Sequence, residues 1–206
     1  MAPINLIRFS RLHDNEDTGI QFYPGATRNL AIENLAYRNG DHGIDNLGAT
    51  RQTIVGNTVF KNVTAGINLE GGSSDGTVRN NISVNNGINS PRTEGDIRVD
   101  SNSKSGTTVD YDLIQLSTSG VLFVWGSSSY KSLAAIRTAT GQEQHGIQAS
   151  PRFVSPSSGD FRLGTGSPAI DSANSGVPGE QTIDLNDDPR VDAPTMPKRW
   201  NRPTNV

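Results

Sequence analysis

The stretch DHGIDNLGATRQTIVGNTVFKN, residues 41–62, decides the fold because the segments on either side of it follow the same pattern. DTGIQFYPGATRNLAIENLAYRN (17–39) precedes it, and TAGINLEGGSSDGTVRNNISVNN (64–86) follows it. Each segment has a Gly-Ile pair near its start and closes on an asparagine, and equivalent residues are 23 or 24 positions apart. The chain therefore contains an internal repeat of the length found in solenoid proteins.

Polar and apolar columns run through this repeat. They are the asparagines Asn34, Asn57 and Asn81, the asparagines Asn39, Asn62 and Asn86, and the apolar column Tyr37, Phe60 and Val84. Short runs that alternate apolar and polar residues are typical of strands, and asparagine tolerates the left-handed corners that a coiled chain needs. The repeat predicts an all-β fold, a right-handed parallel β-helix whose equivalent residues stack about 4.8 Å apart. A leucine-rich repeat has a similar period, but its leucine and asparagine signature is missing.

A fourth coil carries an insertion. DIRV (96–99) corresponds to GINL (66–69), and TVDYDLI (108–114) corresponds to TVRNNIS (77–83). The extra residues fall in GINSPRTE (87–94), which we call the insertion loop. Loops that project beside a solenoid face commonly form groove walls, so this loop is expected to border any site on the adjacent strands.

The composition changes after the coils. We expect β-helix coils over residues 1–115 and a loop-rich C-terminal tail over residues 116–206 that packs on the solenoid flank or covers its end. Residues 192–206 contain several prolines and are expected to be poorly ordered.

One short amphipathic helix is predicted within the tail, over residues 127–142. Leu133, Ile136 and either Ala134 or Ala135 are expected to face inward, and Gly141 is expected to end the helix.

Charge and residue usage exclude several classes of function. The formal net charge is −3, so the chain lacks the basic footprint of a nucleic-acid-binding protein. No run of 18 apolar residues predicts a membrane span. There is no cysteine, hence no disulfide framework and no thiol chemistry. The first residues lack the apolar stretch of a signal peptide, and the chain could be a fragment whose active site lies on further N-terminal coils.

The coils and the tail resemble the parallel β-helix polysaccharide-processing proteins of the pectate-lyase-like superfamily. The closest motif is that of the family 9 pectate lyases, which carry a cluster written Asp-Asp-Gly-apolar-Asp and a lysine base one coil later. Asp41-His42-Gly43-Ile44-Asp45 matches that cluster with His42 in place of its second aspartate. GINLEGG (66–72) matches the lysine segment, but Asn68 stands where the lysine would be.

A calcium site is the prediction that the carboxylates support. Asp17 lies one repeat before Asp41, so the two are expected to stack about 5 Å apart, with Asp45 just beyond the turn. Carboxylates this close repel each other unless a cation or protons intervene, and Ca²⁺ accepts several oxygen ligands in flexible geometry. Zinc is less suited, because only His42 offers nitrogen. The alternative is that Asp17, Asp41 and Asp45 are ordinary corner residues.

The resemblance implies a calcium-dependent lyase that removes the C5 proton of a uronic acid and expels the glycosidic oxygen by β-elimination. Asn68 has no titratable lone pair and cannot act as the base. Arg98, one coil beyond Asn68, and His42 are the candidate catalytic residues, although each is also plausible as a structural side chain. Asn68, Arg92 and Glu94 are the candidate substrate-binding residues, with Arg92 placed to meet an acidic sugar.

Three functions remain open at this point. The first is a polyuronate lyase of weak or lost activity, secreted or at the cell surface, as the resemblance implies, with an acidic polysaccharide as partner. The second is a glycoside hydrolase on the same scaffold that uses a carboxylate pair such as Asp41 and Asp45. The third is a non-catalytic carbohydrate-binding protein, which the loss of the lysine favours. The sequence leaves the oligomeric state open.

Overall fold

A computed structural model describes residues 5–175, 182–186 and 188–190. The strands are β1 (Leu6–Arg8), β2 (Arg11–His13), β3 (Ile20–Phe22), β4 (Leu30–Ile32), β5 (Leu35–Tyr37), β6 (Ile44–Leu47), β7 (Thr53–Val55), β8 (Thr58–Phe60), β9 (Ile67–Glu70), β10 (Thr77–Arg79), β11 (Ile82–Val84), β12 (Ile97–Val99), β13 (Thr108–Asp110), β14 (Leu113–Gln115), β15 (Phe123–Trp125), β16 (Ser128–Tyr130), β17 (Ile147–Gln148), β18 (Phe153–Ser155) and β19 (Asp160–Leu163). The described residues also contain the helix α1 (Leu133–Thr140) and a single 3-10 turn, Pro156–Ser158.

Strands of successive coils stack into three sheets, as the repeat predicts. The first sheet has the order β1-β4-β7-β10-β13, the second β2-β5-β8-β11-β14-β17 and the third β3-β6-β9-β12-β15-β16. All neighbours are parallel except β16, which runs antiparallel to β15. Ile44 pairs with Ile67, and Ile67 pairs with Ile97, so the fourth coil resumes in register after the insertion loop. The prediction of a parallel β-helix is confirmed.

Parallel pairing continues beyond residue 115, where the sequence places the division between coils and tail. The strand β15 extends the third sheet, and β17 extends the second sheet. The division itself stays a prediction, but the tail clearly contributes strands to the solenoid.

Asparagine ladders hold the corners between sheets. In the ladder after the second sheet, Nδ2 of Asn39 donates to Oδ1 of Asn62, and Nδ2 of Asn62 donates to Oδ1 of Asn86, each at 2.9 Å. The backbone N–H of Asn62 donates to the same Oδ1 of Asn86. A Cβ atom added to Gly43 would lie 2.7 Å from Asn62 Nδ2, which explains why glycine opens each repeat.

Each of two asparagine ladders ends on a buried carboxyl. Asp96 stands where earlier coils have glycine, and its Oδ1 accepts from Nδ2 of Asn86 at 2.8 Å. Asp112 ends the ladder between the first and second sheets by accepting from Nδ2 of Asn81 at 2.9 Å. Burial raises the pKa of Asp96 and of Asp112 to about 7 in spite of these hydrogen bonds. The second oxygen of each carboxyl has no hydrogen-bond partner in the described part of the chain.

The helix α1 closes the C-terminal end of the main core, into which it buries Leu133 and Ile136. It is shorter than predicted, because residues 128–130 form β16 and the Ser132 side chain begins the helix by accepting from the N–H of Ala135. Gly141 ends the helix with φ 75°, as predicted. The expectation of an inward alanine is wrong, since residues 134 and 135 are both exposed.

The antiparallel strands β18 and β19 cover the outer side of the second sheet. Phe161 packs against Tyr37 and Phe60 with ring centroids 5.0 and 5.2 Å apart, and Phe153 completes the cluster. We call this the tail-covered face. The predicted poorly ordered segment, 192–206, lies outside the described residues. Within the described ranges, no helix has the length and apolar character needed to cross a membrane.

Candidate functional site

The outer side of the third sheet carries polar and charged side chains in register. Gln21 pairs with Asp45, Asp45 with Asn68, and Asn68 with Arg98 along the direction of the solenoid. These residues alternate with buried inward residues such as Ile44, so strand periodicity directs them outward. Glu70, two residues after Asn68, points to the same side. We call Gln21, Asp45, Asn68, Glu70 and Arg98 the charged face.

Hydrogen bonds link the charged face from coil to coil. The Asp45 carboxylate accepts from Nε2 of Gln21 at 3.0 Å and from Nδ2 of Asn68 at 2.8 Å. Nη1 of Arg98 donates to Oδ1 of Asn68 at 2.7 Å and to Oε2 of Glu70 at 2.9 Å. Asn68 therefore donates a hydrogen bond to a carboxylate and accepts one from a guanidinium. An amide can do both, whereas the ammonium group of a lysine can only donate.

Asp45 is an outward residue that is nevertheless buried. Its side chain is only 2 % exposed, and Asn68 is fully buried. Burial raises the pKa of Asp45 above its ordinary value, and the charge of Glu70 acts in the same direction. The electrostatic interaction with His42 and the hydrogen bonds from Asn68 and Gln21 oppose this rise.

A second cluster joins the turn before β6 to the insertion loop. Oδ1 of Asp41 accepts from the hydroxyl of Thr64 at 2.6 Å, and its Oδ2 forms an ion pair with Nη2 of Arg92. Nε2 of His42 lies 2.9 Å from the hydroxyl of Thr93, so the buried imidazole fastens the loop to the coil. Nδ1 of His42 is 3.1 Å from Oδ1 of Asp41 but is not aligned for a hydrogen bond.

The environment of Asp41 keeps it ionised. Burial alone would raise its pKa, but the hydrogen bonds from Arg92 and Thr64 and the electrostatic interactions with His42 and Arg92 outweigh burial and lower it. Asp41 and Asp45 thus lie in one region of the fold with pKa values displaced in opposite directions.

The structure brings most of the predicted site residues into two contacting groups. Asp45, Asn68 and Arg98 form one group, and Asp41, His42 and Arg92 form the other. Asp17 and Glu94 are exposed, and no hydrogen bond or ion pair of either is recorded within the described residues. Backbone hydrogen bonds from Gly40 to Asn15 and from Gly19 to His42 do stack the coil of Asp17 on that of Asp41.

Three contacting residues were not identified from the sequence: Thr64, Glu70 and Thr93. Strand alternation could have found Glu70, since it lies two residues after Asn68, and the repeat could have found Thr64, since it occupies the Asp41 position one coil later. Thr93 lies in the insertion loop, where no periodicity constrains side-chain direction.

The comparisons with known proteins agree with this architecture. A family profile described as the right handed beta helix region matches residues 3–134, which is more than half of the chain. The chain belongs to the right-handed β-helix family. Neither a curated protein nor a solved structure matches it. The right-handed β-helix fold is found in polysaccharide-processing enzymes, and the profile names no particular substrate.

The carboxylates of this β-helix protein do not fit a calcium ion in their present contacts. Asp41 already binds a hydroxyl and a guanidinium, and Asp45 already accepts two amide hydrogen bonds. The described residues contain no group of three or more His, Cys, Asp or Glu side chains placed to hold a metal. The calcium site formed by Asp17, Asp41 and Asp45 therefore stays a prediction that the side-chain contacts do not favour.

Proposed function

We propose that this protein binds an acidic polysaccharide of the polyuronate type along its charged face. The observation that carries the proposal is the partly exposed guanidinium of Arg98 on the outer side of the third sheet. The parallel register and the contacts with Asn68 and Glu70 hold it there. Arg92 supplies a second, more exposed guanidinium from the insertion loop. The planar fork of arginine suits bidentate recognition of a carboxylate.

The contacts of Arg98 and His42 support polysaccharide binding with little or no β-elimination. Arg98 donates hydrogen bonds to Asn68 and Glu70, so it acts as a cation and has no free lone pair to accept a proton. His42 is 2 % exposed, with Nε2 engaged by Thr93, and is poorly placed to reach a sugar C–H group. Neither of these two residues therefore meets the requirement for a base within reach of the substrate proton.

Glycoside hydrolysis is the second candidate, because Asp41 and Asp45 have divergent pKa values. A carboxyl with a raised pKa can protonate the leaving oxygen, while a neighbouring carboxylate with a lowered pKa activates water or attacks the sugar. Asp45 would be the acid and Asp41 the base or nucleophile. Since Asp45 is buried under Gln21 and Asn68, this reaction requires the charged face to open toward the substrate.

The test is calorimetric titration with oligogalacturonate and oligoalginate, with neutral xylan as a comparison ligand and with a chelator present. We expect binding of the acidic glycans only, and about tenfold weaker binding by Arg98→Gln, which loses the charge but keeps a hydrogen-bond donor. Arg162→Gln is the matched control, because Arg162 also pairs with a carboxylate, Asp160, but lies on the tail-covered side.

Two product assays separate the alternatives. Unsaturated products that absorb ultraviolet light would indicate elimination, whereas new reducing ends without that absorbance would indicate hydrolysis. Equal binding by the wild type and Arg98→Gln, or no binding of any acidic glycan, would refute the proposal.

A further inference from the structure

The ladder between the first and second sheets changes its chemistry near the C-terminal end of the solenoid. Nδ2 of Asn57 donates to Oδ1 of Asn81 at 3.0 Å, and Nδ2 of Asn81 donates to Oδ1 of Asp112 at 2.9 Å. The backbone N–H of Asp112 then donates to Oε2 of Glu143 at 3.3 Å, just as the N–H of Asn57 donates to Oδ1 of Asn81. Glu143 therefore takes the position of a further rung, so two carboxyl groups follow the last asparagine.

Both carboxyl groups are fully buried. Each keeps one oxygen, Oδ2 of Asp112 and Oε1 of Glu143, without a hydrogen-bond partner in the described part of the chain. An asparagine at position 112 would donate from Nδ2 to the next rung, whereas a carboxylate oxygen can only accept. A hydrogen bond between the two carboxyl groups therefore requires a proton on one of them. Without that proton, two neighbouring carboxylates repel each other in an interior of low dielectric constant.

The charged groups around this pair do not neutralise it. Burial raises the pKa of both carboxyl groups, and the negative charge of Asp110, two residues before Asp112, acts in the same direction. Nδ1 of His145 lies 2.7 Å from Oδ2 of Asp110, so this imidazole serves Asp110. Arg137 of α1 donates to the backbone carbonyl of Glu143. Within the described ranges, no cationic side chain forms an ion pair with either member of the buried pair.

The pair joins the last coil to residues 133–148, from α1 to β17, which we call the cap. Asp112 lies directly before β14, and Glu143 lies between α1 and β17. The N–H of Glu143 donates to the carbonyl of Val109, and the N–H of Ile147 donates to the carbonyl of Asp112, each at 2.8 Å. Repulsion between the two carboxyl groups would therefore act directly on the contact between the cap and the solenoid.

We propose that Asp112 and Glu143 share a proton in the folded protein and that this proton fastens the cap to the solenoid, so that the cap opens as the pH rises. The protonated pair continues the hydrogen bonding of the ladder, whereas the ionised pair relieves its repulsion only when opening exposes it to water. Opening also uncovers the edge of β14, with which β17 pairs. The sign follows from linkage: a carboxyl whose pKa is raised in the closed state favours that state at low pH, and this advantage is lost as the pH rises toward the raised pKa.

The experiment is hydrogen–deuterium exchange of the full chain at pH 5 and pH 8, with the intrinsic exchange rate at each pH divided out to give protection factors. We expect the protection of the α1 amides to fall by at least about tenfold at the higher pH, because opening releases a proton. The double variant Asp112→Asn, Glu143→Gln continues the ladder with amides, so this fall should shrink to less than about twofold. Asp112→Asn alone should also decrease it.

Asp96→Asn is the matched control, because Asp96 is an equally buried carboxyl that ends the other ladder and hydrogen-bonds Asn86 rather than the cap. This variant should keep the fall in protection of α1. An equal decrease in Asp96→Asn and in the double variant would show that α1 exchanges only when the whole molecule unfolds, and it would overturn the proposal.

Infrared spectroscopy tests the shared proton directly. At pH 6, the difference spectrum between the wild type and the double variant should contain the band of a protonated carboxyl group. Absence of this band, equal protection of α1 at pH 5 and pH 8 in the wild type, or a fall that survives in the variants would each refute the proposal. Circular dichroism at pH 5 reports the folding of each variant. No glycan is present, so these results are independent of whether the charged face binds a polysaccharide.

Discussion

The second and third sheets share one backbone pattern but present opposite outer surfaces. On the tail-covered face, Tyr37 and Phe60 point outward and are buried by Phe153 and Phe161. On the charged face, the equivalent outward positions carry carboxylates, amides and a guanidinium that satisfy one another. Parallel stacking thus supplies the same backbone frame to both sheets, and the outward side chains of each sheet decide whether its surface packs against the tail or presents polar groups.

The largest difference between the two faces should appear in stability. Phe60→Ala removes an aromatic ring that is 6 % exposed and contacts two tail rings, and Phe→Ala changes in a core cost about 3–5 kcal/mol. Tyr23→Ala is the matched change beside the charged face, where the ring is 59 % exposed, and it should cost less than about 1 kcal/mol.

Urea unfolding of both variants measures the two costs. Similar losses would mean that the tail does not depend on the aromatic cluster, and the contrast between the tail-covered face and the charged face would fail.

A smaller effect is expected from the carboxyl that ends the asparagine ladder beside the charged face. Burial raises the pKa of Asp96 from its ordinary 3.8 to about 7, so the folded state keeps a proton that the unfolded chain loses. Stability should therefore fall as the pH rises from about 4 to about 7 and change little above that. Asp96→Asn removes this ionisation and should decrease the loss between pH 5 and pH 8 by about 2 kcal/mol.

The control for this pH effect is Asp160→Asn, a partly exposed carboxyl on the tail-covered side that ends no ladder. Thermal and urea unfolding at pH 5 and pH 8 give the comparison. A wild type whose stability is the same at both values would show that Asp96 is not held protonated.

Most of the fold, but only part of the site, could be predicted from the sequence. The Gly-Ile and asparagine columns predicted the register because both recur in the segments 17–39, 41–62 and 64–86, and the observed pairing of Ile67 with Ile97 confirms the match across the insertion. Asp45 and Arg98 were found for the same reason. The direction of Arg92 could not be predicted, because the insertion loop has no counterpart in other coils.

The packing of the tail on the second sheet could not be predicted from the sequence either. The apolar column Tyr37, Phe60 and Val84 was recognised, but the sequence did not reveal that it points outward or that a later hairpin, β18–β19, would bury it. Contacts of this kind join residues roughly a hundred positions apart, and no local spacing encodes them. Repeat periodicity therefore predicts the strand register within the solenoid but not the packing of the tail on its outer surface.

The smallest effect concerns how the charged face balances its own charges. Glu70→Gln keeps a hydrogen-bond acceptor for Arg98 but removes the competing negative charge, so the guanidinium becomes more available to a glycan carboxylate. We expect binding of oligogalacturonate to tighten by about two- to threefold, since partly exposed ion pairs are worth less than about 1 kcal/mol. Asp160→Asn changes the net charge equally on the opposite side of the solenoid and should leave affinity unchanged. If both variants bind more tightly than the wild type by the same factor, net charge alone governs binding and the charged face has no specific role. If only Glu70→Gln binds more tightly, the charge of Glu70 limits the affinity of Arg98 for the glycan.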